Sequence, residues 1–284
     1  MLSINQVTMW FFGKMRRFVG SYKPPQKIYL YTHHKIGTAL MSKVFRDVSR
    51  YYGLRFHDAL GFTESVPEDS DIVHFWHSQC SEKILSSQHL GIHLTRDPRD
   101  VIVSGYLYHQ RTKEEWCKNE DFEIKQNIGY PQVDYSQIHL QHEEKIGYLE
   151  LLNGKSYQKN ISLLNQDDGL IFEMDGFAGR TIGDLSKWVG NETILEMKFE
   201  KIIEQYDNSW KDIFSHLGFS GKQLIRACRI AKAHDMNKMS EKEIAKDKHI
   251  STGKLRKWKD YFSEEVYQAY TERFENIHLK LDYE

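Results

Sequence analysis

The chain has 284 residues, 40% hydrophobic and 28% charged, with a formal net charge of −1. That balance is ordinary for a folded protein and lacks the basic excess of a nucleic-acid surface. Three scattered cysteines, Cys80, Cys117 and Cys228, imply neither a disulfide framework nor a zinc ribbon, and point to a reducing, cytoplasmic setting.

Residues 1–25 form an N-terminal segment with amphipathic helical character. Met9-Trp10-Phe11-Phe12, followed by Lys14, Arg16 and Arg17, suits either of two arrangements. One is an interfacial helix that gives residues 9–17 peripheral contact with a membrane, and the other is a helix packed on the domain. The apolar run is too short to span a bilayer, and its cations follow it, unlike those of a signal peptide. Pro24-Pro25 ends this element, and residues 26–284 are read as one domain. No acidic residue precedes Asp47, so this end is locally positive and suited to a polyanionic ligand or an anionic surface.

Lys27–Tyr31 is a short strand rich in β-formers. It runs through Thr32-His33-His34-Lys35-Ile36-Gly37-Thr38 into a helix over 39–52, with Leu40, Val44, Val48 and Tyr51 at helical spacing. Gly37 permits close backbone approach, the helix start presents unpaired N–H groups, and Lys35 adds a point charge. The lysine precedes the glycine, so the loop cradles phosphate without being a GxxxxGK[ST] loop.

Asp71–Trp76 reads as a buried strand and Ser81–Ser86 as a short helix. Leu90–Thr95 is a further strand, followed by a turn through Arg96-Asp97-Pro98-Arg99-Asp100 and a helix from about Val101. Asp97 suits the N-cap, Pro98 the first helical position, and Asp100 the first turn. Arg96 leaves the carboxyl end of the strand and Ser104 lies two turns into the helix, both facing the strand–helix crevice where anionic ligands sit.

Residues 111–136 suit a substrate lid or a plain surface excursion. Amphipathic helices are expected near 137–153, 180–189, 206–217, 221–234 and 263–276, and a fourth strand over Ile194–Phe199. Strands alternating with helices predict an α/β fold, a three-layer sandwich with a central parallel sheet flanked by helices.

Together the segments THHKIGTAL (32–40) and TRDPRDVIVSGYLYH (95–109) resemble the cofactor motifs of the sulfotransferases that use 3′-phosphoadenylyl sulfate (PAPS). Those motifs are of the types TYPKSGTTW and RNPKDVAVSxYH, the second with an arginine and a serine eight residues apart. A weaker likeness to a third, RKGxxGDWKxxF, lies at STGKLRKWKDYF (251–262). The resemblance implies a P-loop-NTPase-like sulfotransferase fold and transfer of a sulfuryl group from PAPS to a hydroxyl, leaving the bisphosphate PAP. It also implies that no metal is used.

The site residues follow from the same resemblance. Lys35, Ile36, Gly37, Thr38 and Ala39 would hold the 5′-phosphosulfate, with Lys35 also stabilising the leaving phosphate. Arg96 and Ser104 would hold the 3′-phosphate, and Phe199 would pack on the purine. Lys254, Arg256 or Lys257 would supply charge to the 3′-phosphate, and Gly253 and Lys254 suit a loop that closes over the nucleotide. The family's KTHLP pattern places the general base on His77, with His74 as its competitor. The acceptor is a small molecule, a lipid or a carbohydrate, and Tyr106, Tyr108, Trp116, Phe122 and Tyr130 suit either an aromatic acceptor pocket or the core. Two other readings are a nucleotide kinase or NTPase, which would need Mg²⁺ and the missing GK[ST] loop, and a non-catalytic nucleotide-binding relative.

Overall fold

The computed structural model describes residues 23–118, 150–240 and 254–284. Its sheet has five strands: β1 (Lys27–Tyr31), β2 (Phe56–Ala59), β3 (Ile72–Phe75), β4 (His89–Thr95) and β5 (Ile194–Lys198). Their order is β2-β3-β1-β4-β5 and every neighbouring pair is parallel. Side chains alternate across the pleat, so β1 serves two cores at once. Ile28 and Leu30 enter the larger core with Ile72, Ile92 and Leu94. Tyr29 and Tyr31 enter a smaller one on the other face with Val73, Phe75 and Ile194. Burial on both faces is what the near-continuous apolar runs of a parallel sheet require.

The order places β1 at a topological switch. After β1 the chain builds β2 and β3 on one side, then β4 and β5 on the other. The loops leaving β1 and β4 therefore diverge and open a crevice at their carboxyl ends.

The principal helices are α1 (Thr38–Tyr52), α2 (Pro98–His109), α3 (Tyr157–Leu163), α4 (Gln166–Asp175), α5 (Phe177–Lys187), α6 (Phe199–Glu204), α7 (Tyr206–His216), α8 (Gly221–Lys232) and α9 (Glu264–Phe274). In α1, Met41, Val44, Phe45 and Val48 fall on one face and all are 0% exposed. Each such burial stabilises the fold by about 1.5–3 kcal/mol. Gly53, at φ 70°, ends the helix in the left-handed conformation. Asp97 caps α2, its side chain accepting from Arg99 N, and Pro98 opens the helix.

Three features differ from the sequence-based expectation. β2 was not expected, because FHDA is four residues long and carries His57-Asp58 rather than an apolar run. Phe199 opens α6 instead of closing β5. α3 and α4 were also unexpected; α4 buries Gly169, Leu170, Phe172, Glu173 and Met174 nearly all round, so it lacks a helical stripe. The expectations for residues 9–17, 119–136 and 137–149 lie outside the described residues, as does Gly253. Among the described residues no helix is long and apolar enough to cross a membrane.

Candidate active site

The loops that leave β1, β3 and β4 surround a cavity of about 550 Å³. Lys35, Gly37, Thr38, Ala39, His77, Arg96, Ser104, Phe199 and Lys254 all line it. Two expected site residues do not. Ile36 is 0% exposed and packs in the larger core. Arg256 is drawn outward, its guanidinium 2.5 Å from Glu204. Lys257, the neighbour in its register, lines the cavity instead.

The β1–α1 loop owes its shape to two left-handed residues, Lys35 at φ 61° and Gly37 at φ 68°. A β-carbon on Gly37 would lie 2.8 Å from Leu94 and 3.0 Å from Phe199, so glycine serves both the turn and the close approach. No side chain caps α1, which leaves its first N–H groups directed at the crevice. The Thr38 hydroxyl donates to Thr32 Oγ1 at 3.0 Å and to His33 O at 2.9 Å, which pins the loop.

Arg96 joins this loop to the next. Its guanidinium donates to Lys35 O at 2.8 Å and lies 5.1 Å from the Phe199 ring. Asp100 and Glu200 stand 3.7 and 3.9 Å from it. Its Nε is buried on the Glu200 side without a hydrogen-bond partner among the described residues, while the residue itself lines the cavity.

The C-terminal segment is clamped by α2. Asp100, 0% exposed, accepts from Arg256 N at 2.7 Å and from Trp258 N at 3.1 Å. Arg99, forked onto Asp97 at 2.8 and 2.9 Å, stacks over Trp258 at 3.8 Å. These contacts, with Arg256 at φ 53°, aim Lys257 inward. Across the cavity, His234 pairs with Asp47 of α1 at 2.9 Å and fixes the wall that carries Met236 and Met239.

Cations crowd the floor. Burial, then Arg96, Lys257 and Arg111, pull the Lys35 ammonium down to about 7 against the opposing effect of Glu114. The Lys35 ammonium rests 3.6 Å from the Tyr108 ring centroid. Lys257 is held at about 8 by burial and Arg96, with Asp100 opposing and Arg111 reinforcing. An anion that enters would restore both charges.

His77 follows the end of β3 at φ 74°, and Ser78 at φ 54° returns its hydroxyl to Thr32 O at 3.0 Å. That turn sends His77 into the cavity. His74 is 0% exposed and bonds Thr32 Oγ1 at 2.9 Å, behind the loop. Burial, then Arg180 and His74, lower His77 to about 4, so its ring is neutral near pH 7 and able to accept a proton.

Several lining residues escaped the sequence reading: His34, Lys43, Arg46, Trp76, His234 and Met239. Lys43 and Arg46 carried a signal, falling four and seven residues after Ala39 on one face of α1. Of the five aromatic candidates, Tyr108 lines the cavity, while Tyr106 and Trp116 belong to the core. Phe122 and Tyr130 lie outside the described residues.

The family model of the sulfotransferase domain matches residues 64–281. No curated protein matches the chain. Among solved structures, the crystal structure of mouse sulfotransferase SULT7A1 complexed with PAP is similar over 95% of this chain and 93% of that one, at 14% identity and a TM-score of 0.49. The family match runs from the residues between β2 and β3 to the end of the chain's last helical turn, and the chain belongs to the sulfotransferase domain family.

Proposed function

We propose that this protein transfers the sulfuryl group of PAPS to a hydroxyl of a small-molecule, lipid or carbohydrate acceptor. The observation that carries the reading is the convergence of Lys35, Gly37 and Thr38 from one strand–loop–helix unit with Arg96 and Ser104 from another. They meet on one cavity that also receives His77.

In this mechanism the α1 N-terminus and Lys35 hold the 5′-phosphosulfate. Arg96, through its cavity-lining guanidinium, holds the 3′-phosphate with Ser104. Phe199 packs on the purine. His77 takes the proton of the acceptor hydroxyl as the new O–S bond forms. Lys35 offsets the negative charge that collects on the leaving phosphate. Lys254 and Lys257 add positive charge from the C-terminal segment.

Thermal stabilisation by PAP without magnesium, and transfer of labelled sulfur from PAPS into an acceptor pool analysed by mass spectrometry, test the proposal. Stabilisation only by ATP with magnesium would replace it with the kinase reading. PAP binding without any transfer would leave a non-catalytic relative.

A further inference from the structure

His34 precedes Lys35, lines the cavity, and has no role in the mechanism above. Its Nε2 lies 3.1 Å from Nε2 of His109, the last residue of α2, and the two rings are parallel within 1°. His109 Nδ1 lies 2.8 Å from Oε2 of Glu173 on α4, and both side chains are 0% exposed. The Tyr157 hydroxyl donates to the same carboxylate oxygen at 3.0 Å. Room for Glu173 comes from Gly105 of α2, where a β-carbon would fall 2.3 Å from Oε1.

His109 sits between a buried carboxylate and a cluster of core aromatic rings. Trp116, Tyr157 and Phe177 stand around its ring at centroid distances of 5.4, 4.9 and 5.6 Å. Aromatic rings and a buried carboxylate both stabilise an imidazolium. The cavity does the opposite, since Lys35, Arg96 and Lys257 repel positive charge there. A proton left on His77 would sit on a weak base among those cations.

The bonding fixes the tautomers. Glu173 Oε2 accepts from Tyr157, so the proton of the second bond to this oxygen rides on His109 Nδ1. In the neutral ring His109 Nε2 is then the acceptor, His34 Nε2–H the donor, and His34 Nδ1 carries no proton.

We propose that His34, His109 and Glu173 form a relay that removes the acceptor's proton from the cavity and stores it against the buried carboxylate. This rests on the sulfuryl-transfer reading. The acceptor O–H bond breaks as the O–S bond forms, and the electron pair of the broken S–O bond stays on the leaving phosphate. His77, whose ring centroid lies 6.1 Å from that of His34, takes the proton and passes it to His34 Nδ1. The proposed step runs through water. The Nε2 proton of His34 crosses to His109 Nε2, and an imidazolium faces the Glu173 carboxylate. After product release the proton returns by the same path to the open cavity and leaves to solvent. His34 and His109 are positioning residues in this scheme.

The neighbouring His33 offers a contrast. It bonds His93 at 2.9 Å, and His93 meets Glu196 at 2.5 Å, but Glu196 is half exposed and His33 is absent from the cavity lining. The titratable and charged groups about the relay are His77 and Lys35 from the loops, Tyr108 of α2, Tyr157 of α3, Arg180 of α5, and Glu114 and Cys117 of the following segment.

The test compares full-length wild type, Glu173→Gln, Tyr157→Phe and Glu196→Gln. Imidazole ¹H–¹⁵N spectra across pH and the pH profile of kcat with PAPS are recorded for each. Glu173→Gln removes the stored charge's counter-ion, so the His34–His109 titration and the acidic limb of kcat move down by about one pH unit. Its plateau kcat falls about 10- to 100-fold, while PAP affinity is unchanged. Tyr157→Phe makes the carboxylate more basic and moves both the other way, which keeps the test usable should Glu173→Gln misfold. Glu196→Gln moves neither. An unchanged histidine titration in Glu173→Gln, or a lower kcat with an unshifted limb, overturns the relay. Wild type that transfers no sulfuryl group overturns the function, and with it the relay's task, even where the titration stays coupled to Glu173.

Discussion

The guanidinium of Arg96 donates a 2.8 Å hydrogen bond to the main-chain oxygen of Lys35. One bond thereby ties the loop after β4 to the loop after β1, and the two halves of the proposed nucleotide site to each other. The residue proposed to hold the 3′-phosphate also holds the left-handed turn that presents the lysine.

Arg96→Ala is therefore expected to weaken PAP binding first, by about 10- to 100-fold for the loss of a charge-assisted pair. Calorimetric titration measures it. Arg96→Lys does not restore affinity, because an ammonium lacks the fork that reaches Lys35 O and a phosphate together. The same change leaves Asp100 and Glu200 with less compensation, so a lower melting temperature accompanies it.

Lys35 makes stability depend on pH with a definite sign. Its ordinary value of 10.5 falls to about 7 in the fold, first through burial and then through Arg96 and Lys257. The unfolded state thus binds the extra proton across that window, and this group's contribution to stability rises as pH climbs from 7 to 10.5. Its penalty is complete below about 7. Lys35→Met is expected to abolish transfer yet raise the melting temperature, most of all in acid. Thermal melts across pH check this; a variant no more stable than wild type at low pH refutes it.

PAP binding should draw protons from solution above about pH 7, because phosphate restores the ammonium of Lys35. Affinity then falls as pH rises. Titrations in buffers of differing ionisation enthalpy count the protons, and zero uptake at pH 8 contradicts the assignment.

His77→Asn tolerates the left-handed backbone at φ 74° that a bulky residue resists. It is expected to lower kcat by about 100-fold or more with PAP affinity retained. Wild-type turnover in this variant would remove His77 from the base role.

Asp100→Ala frees two backbone donors, Arg256 N and Trp258 N. Both bonds are only part-buried, so the expected cost is about 0.5–1.5 kcal/mol for each. Hydrogen exchange over residues 254–262 should accelerate and PAP affinity should drop as Lys257 loses its seat. Unchanged exchange there would show that Arg99 on Trp258 suffices.

Much of the frame was legible because it is local. Strand patterning, the Asp97-Pro98 cap and the position of Gly37 each depend on a few adjacent residues, and each marks an element boundary. The end of the third motif was not legible. Whether Arg256 or Lys257 faces the cavity turns on one left-handed residue and on Asp100, 156 residues away from the nearer of its donors. His34, His109 and Glu173 escaped for the same reason: the loop after β1, α2 and α4 meet only in the folded chain.

By itself the sequence determined the two strand–loop–helix units around Lys35 and Arg96, and with them the positive charge of the crevice. Those signals rest on short-range backbone preference and on charge, which need no partner. The tertiary structure decided that both units share one cavity, that His77 and not His74 enters it, and that Lys257 replaces Arg256 on its wall. It also wired His34 to a buried carboxylate. Each of those outcomes depends on through-space burial and on hydrogen bonds between distant segments, which exist only once the strands have found their order.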